Sequence, residues 1–238
     1  HIPMSYFKGL ADDLPLNIWL EKYIWPNEAK YLSEDFVYDA SIHGIAELIR
    51  NGVTCFNDMY FFPLKTAEAA DRMGVKAFIA DVALDFPMGS FHNPENNYEF
   101  LDSYLNSFKN NDLIDFTIGP HSIYTCSTET LLKGKSKAEK YNKIFHTHLS
   151  ETEFEINSCL EKHKKRPVEY LADLGLLNNK TIFAHGVWFN ENEIDLLKQF
   201  DVSVALNTES NLKPASGFAP LKLYMDKGIN LCFGTDGV

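Results

Sequence analysis

Seven short apolar runs, each closing on a polar residue, constrain this chain more than any other feature. They are Val53 to Asp58, Val75 to Asp81, Phe116 to His121, Ile144 to His148, Thr181 to His185, Val202 to Asn207 and Ile229 to Asp236. Continuous apolar runs without alternation suit strands buried on both faces, the mark of a parallel sheet. Successive run ends lie 22 to 40 residues apart, which leaves room each time for a loop, a helix and a second loop. Asp35 to Arg50 fits such a helix: Val37, Ala40, Ile45, Ala46, Leu48 and Ile49 recur at helical spacing, and Gly52 follows as a stop. Leu64 to Arg72 and Glu191 to Gln199 read alike, Ser127 suits an N-cap, and Asn96 to Lys109 is a more polar candidate. With no Pro-, Gly- or Ser-rich linker, residues 1–238 read as one domain.

Seven βα repeats fall one strand short of a (β/α)8 barrel, whose usual length is about 250 residues. A doubly wound open sheet would also take seven. The polar run ends favour the barrel, because barrel enzymes carry their catalytic groups at the C-terminal ends of several strands. Here those ends hold Asp58, Asp81, His121, His148, His185 and Asp236, and His1 would close a first strand. The expected fold is therefore an α/β, TIM-like (β/α)8 barrel lacking its first strand.

Composition narrows the function. The chain is 45% apolar and 23% charged, an ordinary globular balance. Its 22 basic and 33 acidic residues give a net charge of −11, which repels nucleic acid and anionic lipid. No apolar run approaches the roughly 20 residues a membrane helix needs, and no secretory leader opens the sequence. A cytoplasmic location is expected. The four cysteines are scattered without a C-x-x-C pair and read as reduced, mostly buried thiols.

His146 and His148 share one strand face, with Glu151 three residues beyond. That spacing suits a metal ligand with a proton-carrying acid; taken alone, it is more often a hydrogen-bonded pair of core histidines. His185 precedes Gly186, which permits close backbone approach; a lone strand histidine is more often a satisfied core residue. Asp236, closing an apolar run, is costly to bury without a partner. His121 could reach a ligand or cap a helix, and Asp58 and Asp81 read as structural. Serine-elbow, P-loop and dinucleotide motifs are missing from the sequence. Three histidines and an aspartate at strand ends of one barrel suggest a single nitrogen-and-oxygen site for zinc or iron(II).

The sequence resembles the amidohydrolase superfamily, and within it the deaminases of 5′-methylthioadenosine and S-adenosylhomocysteine. The resemblance rests on His1-Ile2-Pro3-Met4, Gly9-Leu10-Ala11-Asp12-Asp13-Leu14-Pro15-Leu16, Trp19, Ile24-Trp25-Pro26-x-Glu28, Gly52-Val53-Thr54 and Asn57-Asp58-Met59-Tyr60. Pro120-His121-Ser122, His148-Leu149-Ser150-Glu151-Thr152, Ala184-His185-Gly186, Glu209-Ser210-Asn211-Leu212-Lys213 and Gly234-Thr235-Asp236-Gly237 complete it.

This resemblance implies one divalent metal, zinc before iron(II), held by His1, His148 and Asp236. It makes Glu151 the acid that protonates the purine ring, His185 the residue that orients the attacking water, and Asp236 the acceptor of that water's proton. His121 then contacts substrate, Glu28 holds the ribose hydroxyls, and Trp19 lines the same pocket. It also implies a small nucleoside partner, and it allows a homo-oligomer. The first histidine of the family's H-x-H pair, the last helix and the flanking β-sandwich lie outside the sequence, so a catalytic core that binds metal poorly as written is expected. Ala83 to Tyr98 holds no arginine to meet an amino-acid carboxylate, which favours neutral 5′-substituted adenosines over S-adenosylhomocysteine. Competing readings are a hydrolase of another heteroaromatic amine or chloride, guanine/cytosine deaminase-like or chlorohydrolase-like, and a non-catalytic barrel.

Overall fold

The computed structural model describes residues 1–11, 14–88 and 90–237, so Asp12 and Asp13 of the second motif lie outside the described residues. The chain forms two compact units, one of residues 1–119 with 236–238 and one of residues 120–235.

The first unit opens with a 3-10 helix, Ile2–Phe7. Next come α1 (Leu16–Trp19), a π-helical turn (Leu20–Ile24) and α2 (Trp25–Tyr31). Single π turns inside helices are frequent at functional sites, and this one separates Trp19 from Glu28. Then follow α3 (Glu34–Arg50), β1 (Cys55–Tyr60), α4 (Pro63–Met73), β2 (Lys76–Ala83), α5 (Leu101–Ser107) and β3 (Ile114–Pro120). Ser33 caps α3 by accepting from the Phe36 N–H at 3.1 Å. Val37, Ala40, Ser41, Gly44 and Ile45 form its buried face. Gly44 has a steric reason: a Cβ there would sit 2.9 Å from the Ile2 carbonyl oxygen, where the opening 3-10 helix crosses α3. β1 and β2 pair in parallel from Cys55↔Lys76 to Tyr60↔Asp81, and the Ala77 N–H reaches the Leu113 carbonyl just ahead of β3. A core of Met4, Ile24, Val37, Met59, Tyr60, Ala80 and Val82 fills this unit.

The second unit holds α6 (Thr128–Tyr141), β4 (Phe145–Leu149), α7 (Glu153–His163), α8 (Pro167–Asp173) and β5 (Thr181–His185). It continues with α9 (Glu191–Gln199), β6 (Ser203–Leu206), α10 (Thr208–Leu212), α11 (Leu221–Lys227) and β7 (Asn230–Phe233). β4, β5, β6 and β7 pair in that order, all parallel. Parallel strands in chain order, with helices crossing between them, give the expected partial (β/α)8-barrel pattern.

Several expectations are corrected. Asp58 lies inside β1 and Asp81 inside β2; neither closes its strand. Both strands run on because these carboxylates have partners: Asp58 accepts from the Ile2 N–H and Asp81 from the Tyr104 hydroxyl. The polar stretch Asn96 to Lys109 divides into a 3-10 turn, Pro94–Asn96, and the short α5, since few apolar residues anchor it. Strand β7 is not buried on both faces, because it pairs with β6 alone among the described residues, and Phe233 is 83% exposed. Cys126 and Cys159 are buried, but Cys55 at the start of β1 and Cys232 on β7 are exposed. No helix among the described residues is long and apolar enough to cross a membrane.

Candidate functional site

In the first unit, the His1 imidazole is held by main chain and by a carboxylate. Its Nδ1 meets the Met59 carbonyl at 2.5 Å, which leaves Nε2 as the nitrogen toward Asp236, 3.5 Å from Oδ1. The backbone nitrogens of His1 and Ile2 both meet Asp58 Oδ1, at 2.9 and 2.7 Å, and fix the path of the chain around the imidazole. Asp58 is buried, and its Oδ2 has no hydrogen-bond partner among the described residues. A Cβ on Gly237 would meet the Met4 sulfur, so the chain after Asp236 lies close against the Met4 side chain.

Glu28 on α2 is 4% exposed, and the Tyr60 hydroxyl at the end of β1 donates to its Oε1 at 2.6 Å. Burial pushes the Glu28 carboxyl up to about 7, with the Tyr60 bond pulling the other way. The Tyr60 phenol is raised well above its usual range by burial and by the neighbouring carboxylate. The Tyr60 ring also stands edge-on to His1 at 6.0 Å. Trp19 packs on the core beside Glu28's helix, with its indole N–H donated to the Leu10 carbonyl.

In the second unit, histidines from successive strand ends assemble side by side. His148, one residue before the end of β4, directs Nδ1 to the His121 carbonyl at 2.6 Å, so Nε2 is the nitrogen that could meet a metal. Its ring lies 4.7 Å from that of His121 and 5.4 Å from that of His185. His121 Nδ1 is 3.0 Å from the Thr125 hydroxyl. His185, 1% exposed at the end of β5, places Nδ1 2.7 Å from Asn211 Oδ1 and Nε2 3.7 Å from Glu151 Oε2. Because an amide oxygen can only accept, Asn211 sets the proton on Nδ1 and leaves Nε2 basic. Ser150 and His185 have positive φ, at 54° and 75°. Left-handed backbone at non-glycine residues is costly and clusters at functional sites. Here it turns the chain sharply at strand ends so that neighbouring side chains converge.

The arrangement thus groups His1, Asp236, Tyr60 and Glu28 within one unit, and His121, His148, Glu151 and His185 within the other. Sequence reasoning gave no role to Tyr60, Asn211 or Glu155, although the first two stand in the quoted motifs. Glu155, buried on α7, accepts from the Glu151 N–H at 3.1 Å. Burial lifts its carboxyl to about 7, against the backbone N–H groups of Ser150 and Glu151, which pull it down. Its one sequence signal, Thr152-x-x-Glu155, reads as an ordinary helix cap. His146, the partner of His148 on its strand, is buried 6.2 Å from it, ring to ring.

The amidohydrolase family pattern matches residues 1–238. A 5-methylthioadenosine/S-adenosylhomocysteine deaminase of Thermodesulfovibrio yellowstonii is 43% identical over 237 residues, covering 100% of this chain and 54% of that protein. A 5′-deoxyadenosine deaminase of Methanocaldococcus jannaschii is 44% identical over 239 residues, covering 100% of this chain and 56% of its own length. The chain thus spans about half the length of the curated relatives it matches. Among solved structures, an adenosine deaminase from Xanthomonas campestris with bound zinc matches 99% of this chain and 54% of its own, with 34% identity and a TM-score of 0.95.

Proposed function

The chain belongs to the amidohydrolase family, and from that premise we propose that residues 1–238 are part of a metal-dependent catalytic barrel. This barrel deaminates adenosine-type nucleosides to the inosine analogue and ammonia. Dependence on a divalent metal is general in the family. In this reading His1, His148 and Asp236 hold one such ion, zinc first and iron(II) second. The donor set supports this. His1 and His148 each give one ring nitrogen to a main-chain carbonyl, as ligating imidazoles do. The 3.5 Å from His1 Nε2 to Asp236 Oδ1 is close to the roughly 3.3 Å between neighbouring ligands of a tetrahedral zinc.

When bound, the ion supplies a water activated near neutral pH. Asp236 would accept that water's proton, and His185, held by Asn211, would orient the water toward the amino-bearing ring carbon. Glu151 would donate a proton to the adjacent ring nitrogen, making the carbon electrophilic; the water oxygen would then add to that carbon, and the C–N bond would break as the amino group takes up the proton held by Asp236 and leaves as ammonia. Glu151 must be protonated when it donates, a state that a dry site favours. His121 contacts the substrate, and Trp19 lines its pocket.

One observation carries the nucleoside reading over a bare heteroaromatic ring: the buried Glu28 carboxylate. Tyr60 holds one of its oxygens, and the second is set to accept from ribose hydroxyls. Such charge-assisted bonds are worth about 1.5–3 kcal/mol. The arginine-free stretch 83–98 supports a neutral 5′ substituent. The test is ammonia release by the whole protein, loaded with zinc or iron(II), from adenosine, 5′-deoxyadenosine, 5′-methylthioadenosine, S-adenosylhomocysteine, 2′,3′-dideoxyadenosine and guanine. Loss of the hydroxyls, or Glu28→Ala, should cost roughly 10–150-fold in kcat/KM, and the two losses should not add. Equal turnover of adenosine and its dideoxy analogue would remove the ribose-holding role.

A further inference from the structure

Glu155 is one of the most thoroughly buried carboxylates in the second unit, and the reaction outlined above leaves it unused. It stands three residues after Thr152, whose hydroxyl caps α7 by accepting from the Glu155 N–H. In an ordinary capping box a glutamate at this place turns back to the N–H of the capping residue. Glu155 bypasses Thr152. Its Oε2 reaches the N–H of Glu151, and its carboxylate is also bonded by the Ser150 N–H. Both residues belong to the corner between β4 and α7, where Ser150 has its positive φ. The other oxygen, Oε1, is buried without a hydrogen-bond partner among the described residues.

A carboxylate held in this way is a poor choice for stability alone. An aliphatic side chain would fill the volume without an unsatisfied oxygen, and such exceptions to ordinary satisfaction call for a reason. What the carboxylate does that an aliphatic chain cannot is grip two consecutive main-chain N–H groups immediately beneath Glu151. The Glu151 side chain then reaches within 3.7 Å of His185.

We infer that Glu155 is the positioning residue for Glu151, fixing the Ser150–Glu151 corner so that the acid meets the substrate ring at one defined place. The inference rests on the general-acid role proposed for Glu151. It requires an acceptor oxygen at the reach of a glutamate side chain and does not require charge.

The experiment compares Glu155→Gln, Glu155→Met and Glu155→Asp in the metal-loaded whole protein, with Glu151→Gln alongside and 5′-deoxyadenosine as substrate. Gln keeps an acceptor at the same reach and should retain kcat within about threefold. Met fills the space without an acceptor, and Asp falls one methylene short. Each should lower kcat roughly 10–100-fold, with KM changed less than about threefold and metal content unaltered. If Glu155→Met does not fold, Glu155→Asp carries the comparison. Wild-type kcat in Met or Asp would overturn the inference. So would an equal loss in Gln, or a loss that tracks lowered Tm or lost metal, which would mark a merely structural residue. Wild-type turnover by Glu151→Gln would instead remove the general-acid reading on which the inference depends.

Discussion

Replacing Glu28 by glutamine should make this protein more stable at pH 8 and leave it nearly unchanged at pH 4.5. In the folded chain the Glu28 carboxyl is raised from its ordinary 4.5 to about 7, chiefly by burial. A group so raised binds its proton more tightly when folded. Its contribution to stability is therefore complete below about 4.5 and is lost as the pH climbs through about 7. At 1.36 kcal/mol per pH unit, the span from 4.5 to about 7 amounts to about 3 kcal/mol. Glutamine does not titrate, and it keeps an oxygen for the Tyr60 hydroxyl. The stability difference between Glu28→Gln and the parent should accordingly grow by about 3 kcal/mol across that range. Urea unfolding of both proteins at half-unit pH steps isolates the effect, because every other titrating group cancels in the difference. A difference flat with pH would show that Glu28 is hydrated in solution and refute the reasoning. The functional counterpart is that a carboxylate ionised at such cost is stabilised by any ligand bringing two hydroxyl donors.

Three further outcomes follow from the site. Glu151→Gln keeps shape but removes the titrating proton, and should lower kcat at least ~10²-fold with metal content unchanged, measured by ammonia release and metal analysis. Asn211→Ala takes away the acceptor that sets the His185 tautomer, and should cost roughly 10–100-fold in kcat while KM holds; a larger effect on KM would place His185 in binding. Asp58→Ala frees the backbone around His1 and should weaken zinc affinity about 10–100-fold, read by competition with a chelator, whereas an unchanged affinity would make Asp58 purely structural.

Much of the fold was legible because parallel strands buried on both faces leave an unbroken apolar run, and β5 begins and ends at Thr181 and His185 as the sequence reading has it. Strand ends were less legible where a carboxylate occurs inside a strand. Asp58 and Asp81 look like stop signals until their partners, the Ile2 N–H and the Tyr104 hydroxyl, are seen. The imidazoles and carboxylates of the candidate site stood out as motif residues at strand ends. The residues that hold them did not. Asn211 lies 26 positions from His185, and nothing in the local sequence links the two. Glu155 was hidden for the opposite reason: its spacing from Thr152 already had a satisfactory local explanation. Strand β7 carries the same apolar pattern as the buried strands, and only its lack of a second neighbour among the described residues separates them.

The two imidazoles that lean on main-chain carbonyls, His1 on Met59 and His148 on His121, have a consequence for how such a site tolerates change over evolutionary time. A carbonyl belongs to every residue, so the ring's orientation is inherited from the path of the strand and not from the identity of its neighbour. Position 59 is free to drift through any side chain that keeps β1 in place without loosening His1. A search for pairs of positions that change together would find no partner for His1 there, although the two are in direct contact. The rings that lean on side chains, His185 on Asn211 and His121 on Thr125, are those whose neighbours must change in step with them.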